Sequence, residues 1–286
     1  MAGFKVTDFA RMKAAGEPIA MLTCYDYSTA KLMNTTAVDS LLVGDSLGTV
    51  MLGYPDTLSV TMEDMIRHTQ AVVRGAPDKF VVADMPFMSY QTGVRDAVIN
   101  AGRLVKDGHA QAVKLEGGSD YAEEIAAIVR AGIPVMGHLG LTPQSVNALG
   151  GYRVQAKTEE AVKRLVDDAL ALEEAGVFAV VIECTPASAA RAVTEALRGV
   201  PTIGIGAGAA CDGQILVWQD MAGLFTDFAP KFVKRWADTA TVLKDAFNGY
   251  VSEVKANTFP GPEHTFGAAQ KTMKTLYGPE DGPKTN

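Results

Sequence analysis

Short runs of mostly apolar residues recur eight times along the chain, and each run is typical of a buried β-strand. Most runs are followed by a longer segment whose apolar residues recur every three or four positions, the pattern of an amphipathic helix. The predicted strands cover residues 19–24, 40–44, 80–84, 112–116, 134–138, 178–183, 202–206 and, on the weakest pattern, 215–218.

The helix boundaries follow from capping residues and glycine or proline stops. Thr61 and Ser119 are predicted N-caps, and Pro186 suits the first turn of a helix before residues 189–197. The segment 140–157 combines Gly, Pro and Asn after the fifth strand, which predicts a long loop. We expect this loop to act as a lid or as a wall of a substrate site.

The regular alternation of strands and helices predicts an α/β protein with a parallel sheet. Eight strands in 286 residues favour a closed (β/α)8 TIM barrel in a single domain, which we place at residues 1–266. A polar, Gly- and Pro-rich segment at 267–286 is expected to be a flexible tail. An open doubly wound sheet is the alternative, but it would concentrate ligands at one switch point.

The composition limits the classes of partner. A net charge of −7, without a basic run, argues against a nucleic-acid partner. No apolar stretch is long enough to span a membrane, and the charged N-terminus does not resemble a secretory signal. Cys24, Cys184 and Cys211 lack zinc-site spacing and are typical of free thiols, so a cytoplasmic location is expected.

Four acidic residues each stand at the end of a predicted strand: Asp45, Asp84, Glu116 and Glu183. The carboxyl ends of parallel strands meet at one edge of a barrel, where active sites are built. Four carboxylates at one edge would repel each other, so a divalent metal is expected among them. The alternative for Asp45 and Asp84 is a helix cap or a turn.

Three further residue types belong to this edge. Lys114 and Glu116 lie two positions apart, so their side chains share one face of a strand, which is the interior of a barrel. Solvated charges on an edge strand are the alternative. The Ser46 hydroxyl could hold a small anion. His138 ends the fifth strand, although a lone histidine is more often an ordinary core or loop residue.

The apolar residues before Glu183 should raise the pKa of its carboxyl group, which suits a general base. A salt-bridged acid at a strand end is the alternative. The glycine-rich stretch 204–208 lacks the Walker lysine and dinucleotide spacing, so it is only a weak signal of ligand binding.

Metal-held carboxylates, a lysine, a histidine and a partly buried glutamate together fit enolate chemistry on an α-keto acid. The chain contains no HExxH or CxxC motif and no recognisable Ser/His/Asp spacing, so nucleophilic hydrolysis is disfavoured.

Several segments of the chain resemble the 3-methyl-2-oxobutanoate hydroxymethyltransferase family. GHLGLTPQSVN and IGIGAG followed by DGQ are the most specific of them. The others are LTCYDYSTAKL, LLVGDSLG, HTQAVVRGAP, VVADMPFMSY, VKLEGG, DALALEEAG, VIECTP, PKFVK and FPGPEHTF, and together they reach Phe266. Residues 34–38, Pro55 and Ser59 depart from the family pattern, which affects local loop geometry and folate affinity rather than the metal site.

The resemblance implies a TIM barrel that transfers a one-carbon unit from 5,10-methylenetetrahydrofolate to 3-methyl-2-oxobutanoate, giving 2-dehydropantoate. It implies that Asp45 and Asp84 bind Mg²⁺, with Glu116 as a further ligand, through water or directly. Asp45, Ser46, Asp84 and Lys114 would contact the keto acid. Glu183 would accept the proton, and His138 would be an active-site neighbour.

The resemblance also implies a homo-oligomer, a ring of dimers, in which residues 259–266 could reach a neighbouring subunit. A Mg²⁺-dependent C–C lyase or aldolase of the phosphoenolpyruvate mutase/isocitrate lyase type is the second reading. A barrel kept only as a binding or assembly protein is a third, which the intact polar residues disfavour.

Overall fold

The eight predicted strands form one closed barrel in a computed structural model that describes residues 3–267. Every pairing is parallel, each strand pairs with the next, and the last strand pairs with the first. The predicted (β/α)8 TIM barrel is therefore confirmed, and the open sheet is wrong. The strands are β1 Ile19–Thr23, β2 Ser40–Val43, β3 Phe80–Asp84, β4 Ala112–Glu116, β5 Val135–Gly140, β6 Ala179–Glu183, β7 Thr202–Ile205 and β8 Gly213–Leu216.

Most helices lie between the strands in sequence, but the first precedes β1 and the last two follow β8. The helices are α1 Val6–Ala15, α2 Tyr27–Asn34, α3 Leu47–Val50, α4 Met62–Gly75, α5 Val94–Lys106, α6 Ala122–Arg130, α7 Val146–Leu149, α8 Glu159–Ala175, α9 Ala187–Ala196, α10 Trp218–Met221 and α11 Thr239–Lys255, with 3-10 turns at Ser119–Tyr121, Pro143–Ser145 and Pro262–His264. None of the helices in the described part of the chain is both long and apolar enough to cross a membrane.

Several predicted boundaries move in the structure. The last strand begins at Gly213 rather than at residue 215, because Gly213 pairs with both Ile19 and Ile203, and Trp218 already belongs to α10. Thr61 is an N-cap as predicted, with a capping box to Asp64. Ser119 caps no helix, because its hydroxyl and amide both donate to Asp168.

The other two differences concern α9 and the long loop. Helix α9 begins at Ala187, directly after Pro186, rather than at residue 189. The predicted loop at 140–157 contains the Pro143–Ser145 turn and α7, so part of it is regular.

The described chain forms two compact units, one up to Ala237 and one from Asp238. The first unit contains the whole barrel. The second contains α11, whose first turn is capped by the Asp238 carboxylate. The expected extent of the catalytic domain, 1–266, stays a prediction, and the tail expected at 267–286 lies, after Gly267, outside the described residues.

The first unit has two apolar cores, which follow from the period of two along each strand. On β3, Val81 and Ala83 face the surrounding helices, whereas Phe80 and Val82 belong to the core inside the barrel. The same alternation holds on the neighbouring strands. Residues that continue the inward face beyond this inner core therefore stand at the carboxyl end of the barrel.

Aromatic residues close the amino-terminal end of the barrel. Phe9 of α1 is fully buried and packs edge-on against Phe4, Phe80 and Phe178, with ring centroids 4.9–5.8 Å apart. Burying one such ring contributes about 2 kcal/mol to the free energy of unfolding. Helix α1 thus acts as a plug, and the polar chemistry is left to the opposite end.

Candidate active site

The inward face of four adjacent strands carries the charged residues predicted from the sequence. Asp84 follows Phe80 and Val82 on β3, and Lys114 and Glu116 follow Ala112 on β4. On β5 and β6 the same face ends in His138 and Glu183. Because side chains alternate along each strand, every one of these four strands places at least one ionisable side chain at the carboxyl end of the barrel.

All seven predicted site residues line one cavity of about 670 Å³ at this end of the barrel. They are Asp45, Ser46, Asp84, Lys114, Glu116, His138 and Glu183. Their juxtaposition is confirmed, whereas their individual roles stay predictions. The edge-strand alternative for Lys114 and Glu116 is wrong, because the barrel is closed and both side chains are buried.

Asp45, Asp84 and Lys114 form a buried charged group. The Lys114 ammonium donates to Asp84 Oδ1, and the Asp45 amide donates to Asp84 Oδ2 over 3.0 Å. Burial alone would favour the neutral amine, but the charges of Asp84, Glu116 and Asp45 outweigh burial and raise the pKa of Lys114. The Asp45 carboxylate caps no helix, because it accepts from the Gln144 side chain instead.

The donor set fits a divalent cation with oxygen ligands. Burial, followed by the charges of Asp84 and Glu116, raises the pKa of Asp45 to about 8, so a cation beside this carboxyl group would be needed to hold it ionised at neutral pH. Within residues 3–267 no three His, Cys, Asp or Glu side chains form a ready-made metal cluster. Mg²⁺ does not need such a cluster, because it is commonly bound by one or two carboxylates, and water and substrate complete its coordination shell. Asp45 and Asp84 would hold it.

His138 lies between two carboxylates. Its Nδ1 is 3.3 Å from Glu116 Oε1, and its Nε2 is 3.1 Å from Glu183 Oε2, although neither contact is aligned as a hydrogen bond. Burial and the charge of Lys114 lower the pKa of His138, but the two glutamates outweigh them and raise it to about 9. The imidazole is therefore a cation at neutral pH that orients Glu183, whose side chain is 17% exposed to the cavity.

Gln144 is a site residue that the sequence reasoning missed. Its side chain is buried and makes four hydrogen bonds: Nε2 donates to Asp45 Oδ2 and to the Met85 carbonyl, both at 2.9 Å, and Oε1 accepts from Tyr90 and Gln91. The backbone N–H of Gln144 donates to Glu116 Oε2 at 2.9 Å. Because the Glu116 oxygens already face Gln144 and His138, Glu116 would reach a cation through water.

Replacing Gln144 with methionine is expected to lower the free energy of unfolding by about 2–3 kcal/mol, because Asp45 and the Met85 carbonyl lose buried donors. Urea unfolding followed by circular dichroism measures this change. Gln155→Met, at a more exposed position of the same loop, is the matched control and should stay within about 0.5 kcal/mol of the parent. An equal fall in the free energy of unfolding in both variants would show that the hydrogen bonds of Gln144 do not stabilise the fold more than those of an exposed glutamine.

Two further polar groups complete the inner cavity. Ser46 Oγ lies 2.8 Å from the hydroxyl of Tyr25, which holds the serine at the cavity wall. Cys184 follows Glu183 with a left-handed backbone (φ 46°) and also lines the cavity. Burial and the neighbouring Glu183 raise the pKa of the Cys184 thiol to about 12, so it stays protonated and is a poor nucleophile.

Comparisons with solved structures agree with the barrel. A 2,3-dimethylmalate lyase of the phosphoenolpyruvate mutase/isocitrate lyase superfamily matches with a TM-score of 0.57 at 18% identity, covering 94% of this chain and 93% of its own. A phosphonopyruvate hydrolase in complex with oxalate and Mg²⁺ matches with a TM-score of 0.56 at 14% identity, over 96% and 99% of the two chains. At these identities the likeness concerns the fold.

The sequence comparisons are closer. The 3-methyl-2-oxobutanoate hydroxymethyltransferase of Clostridium novyi (strain NT) is 58% identical over 272 residues, which cover 95% of this chain and 98% of the relative. The enzyme of that name from Enterococcus faecalis (strain ATCC 700802 / V583) is 58% identical over 269 residues, covering 94% and 98%. A profile of the ketopantoate hydroxymethyltransferases matches residues 4–262. The chain, with its closed barrel and its ring of strand-end charges, therefore belongs to the ketopantoate hydroxymethyltransferase family of enzymes.

Proposed function

We propose that this enzyme transfers a hydroxymethyl group from 5,10-methylenetetrahydrofolate to 3-methyl-2-oxobutanoate, giving 2-dehydropantoate for pantothenate and coenzyme A synthesis, with Mg²⁺ as cofactor. The observation that carries the proposal is the meeting of Asp45, Asp84, Lys114 and Glu183 in one cavity of a chain from this family. The new carbon joins C3 of the keto acid, water supplies the hydroxyl oxygen, and tetrahydrofolate leaves.

The inner cavity would bind and orient the keto acid. Lys114 and the Ser46 hydroxyl are the groups that would hold its carboxylate and keto oxygens, beside Asp45 and Asp84. Mg²⁺, when bound there, supplies Lewis-acid polarisation of the keto group, which makes the C3–H bond more acidic. The buried lysine adds a fixed positive charge where the enolate oxygen develops, in surroundings that exclude most water.

Glu183 would remove the C3 proton. Its carboxylate is both accessible to the cavity and held by His138, whereas Glu116 is buried and engaged by Gln144. The contact with His138 orients the Glu183 carboxyl group, so the base is in position before the substrate arrives.

Proton NMR of 3-methyl-2-oxobutanoate in deuterated buffer tests this proposal without the folate. The C3 proton signal should disappear when protein and Mg²⁺ are both present, and it should persist when a chelator replaces the metal. Folate-dependent formation of 2-dehydropantoate then identifies the transfer. Rapid cleavage of the keto acid instead would favour the lyase reading, which has only the fold likeness behind it.

We also propose that the chain functions as a homo-oligomer. In the second unit, α11 has no buried residue, although it carries large apolar side chains. Val242, Phe247 and Tyr250 are each about 60% exposed or more. Contiguous exposed apolar surface of this kind marks an association site. Light scattering coupled to gel filtration should give a mass of several chains, and a monomer of 30.2 kDa would contradict the proposal.

A further inference from the structure

The cavity is larger than the keto acid needs. A volume of about 670 Å³ lies within the roughly 300–1,000 Å³ of sites that hold drug-sized ligands. A small branched acid held at Asp45, Asp84 and Lys114 occupies only the inner part. The remaining space is lined by the loops that follow the strands, and the segment after β8 forms one side of the mouth.

This side of the mouth is lined by what we call the outer wall: Asp220, Phe225, Phe228 and Phe232. Phe228 is 68% exposed and Phe232 is 36% exposed, so two of its rings face water. Exposed aromatic rings at the mouth of a cavity mark a ligand-binding or association surface.

The chain fixes the position of Phe232. A Cβ atom at Gly206, at the end of β7, would lie 2.6 Å from Phe232 Cδ1, so the ring packs directly on the glycine backbone. Gly206 has a φ of 65°, which also favours glycine. The Phe232 ring is thus anchored beside the strand that follows Glu183 in the barrel order.

Asp220 differs from the other partly buried aspartates. Asp212 accepts from Lys13 and Thr202, and Asp45 accepts from Gln144, but no residue in the described chain donates a hydrogen bond to the Asp220 carboxylate. Burial raises the pKa of Asp220, and the more distant Arg235 only partly offsets this effect. Asp220 is only partly buried and lines the cavity, so its two acceptor oxygens are accessible at the outer wall without a donor among the described residues.

We propose that the outer wall binds the pterin ring of the one-carbon carrier, with the Asp220 carboxylate accepting hydrogen bonds from the ring's exocyclic amino group and its neighbouring N–H. That edge presents two parallel donors, which a carboxylate matches in the way it matches a guanidinium group. Phe225, Phe228 and Phe232 contact the faces of the ring. The inference rests on the proposed function, because it assigns the subsite of the folate.

The placement suits the chemistry. Asp84 and Lys114 lie on β3 and β4 and Asp45 follows β2, whereas the outer wall follows β8. In the closed barrel β8 is two strands from β6, which carries Glu183, and two strands from β2, which precedes Asp45. A carrier on the outer wall would therefore share the cavity with both the base and the keto acid. Arg153 and Lys231 line the same mouth and can pair with the carboxylates of the folate tail.

Asp220→Asn is the decisive variant, because it removes the charge and one acceptor at a position that holds no hydrogen bond within the fold. Tetrahydrofolate binding, followed by calorimetry, should weaken about tenfold or more, and the KM for 5,10-methylenetetrahydrofolate should rise in parallel. Deuterium exchange of the keto acid with Mg²⁺ and no folate should stay within about twofold of the parent. Asp227→Asn, outside the cavity lining, is the matched control and should change neither.

Two results would overturn the inference while leaving the proposed function intact. The first is unchanged tetrahydrofolate affinity in Asp220→Asn. The second is a Phe228→Ser variant whose oligomeric mass falls while its folate affinity is retained, since a second copy of the chain would then cover the outer wall. Failure of the parent protein to exchange the C3 proton or to form 2-dehydropantoate would instead overturn the proposed function itself.

Discussion

Replacing Glu183 with glutamine is expected to slow exchange of the C3 proton by about 10²–10⁴-fold, the usual contribution of a general base. The amide keeps the size and shape of the side chain but cannot take up a proton. Because Glu183 faces the cavity and contributes one contact to His138, the fold should be unaffected. Proton NMR in deuterated buffer measures the exchange, and calorimetric titration with the keto acid in the presence of Mg²⁺ measures binding.

Glu174→Gln, on the exposed side of α8, is the matched control and should exchange at the parent rate. Glu183→Asp keeps the carboxylate one methylene further away and should retain intermediate activity. Exchange in Glu183→Gln within tenfold of the parent would show that another group, such as His138 or a bound water, removes the proton.

Asp45→Asn is expected to weaken Mg²⁺ binding by about 100-fold or more and to abolish metal-dependent exchange, while leaving the metal-free protein as stable as the parent or more so. The pKa of Asp45 is about 8 in the fold, above the usual 3.8. Its ionised form is therefore disfavoured by folding, and the resulting loss of stability grows as the pH rises from about 4 to 8. Asparagine removes this cost and can still accept from Gln144.

Two measurements check the expected loss of metal binding and the expected retention of stability. Mn²⁺ binding followed by electron paramagnetic resonance reports on the metal site without any turnover, and thermal unfolding at pH 7.5 with a chelator reports on stability. Asp167→Asn, in an exposed ion pair on α8, serves as the control. Retained Mn²⁺ affinity in Asp45→Asn would remove Asp45 from the metal site, and a large fall in Tm would make its role structural.

The barrel and its inner charges could be predicted because both arise from a period of two along short strands. Asp84, Glu116 and Glu183 end apolar runs, Lys114 shares a strand face with Glu116, and the closed order of parallel strands brings such ends together. The boundary errors have local causes: Gly213 extends the last strand through backbone pairing, and Ser119 binds Asp168 rather than capping a helix.

The site residues that were not predicted lie in segments outside the strands and long helices. Gln144 sits in a 3-10 turn and Tyr90 in a turn after β3, where no periodicity shows that a polar side chain points inward. Phe225 and Phe228 belong to a segment without regular structure, so only the folded chain shows that they share a cavity with Glu183. The unpaired state of Asp220 is likewise a property of the whole environment and not of the sequence around it.

The aromatic residues that close the amino-terminal end of the barrel limit the route by which substrates reach the active site. Phe4, Phe9, Phe80 and Phe178 close that end, so a substrate can reach the inner cavity only through the mouth that the outer wall borders. A carrier seated on the outer wall would cover a keto acid bound beneath it. From the proposed function and the proposed carrier site we therefore expect a compulsory order, in which the first substrate to enter is the deeper one and its product is the last to depart.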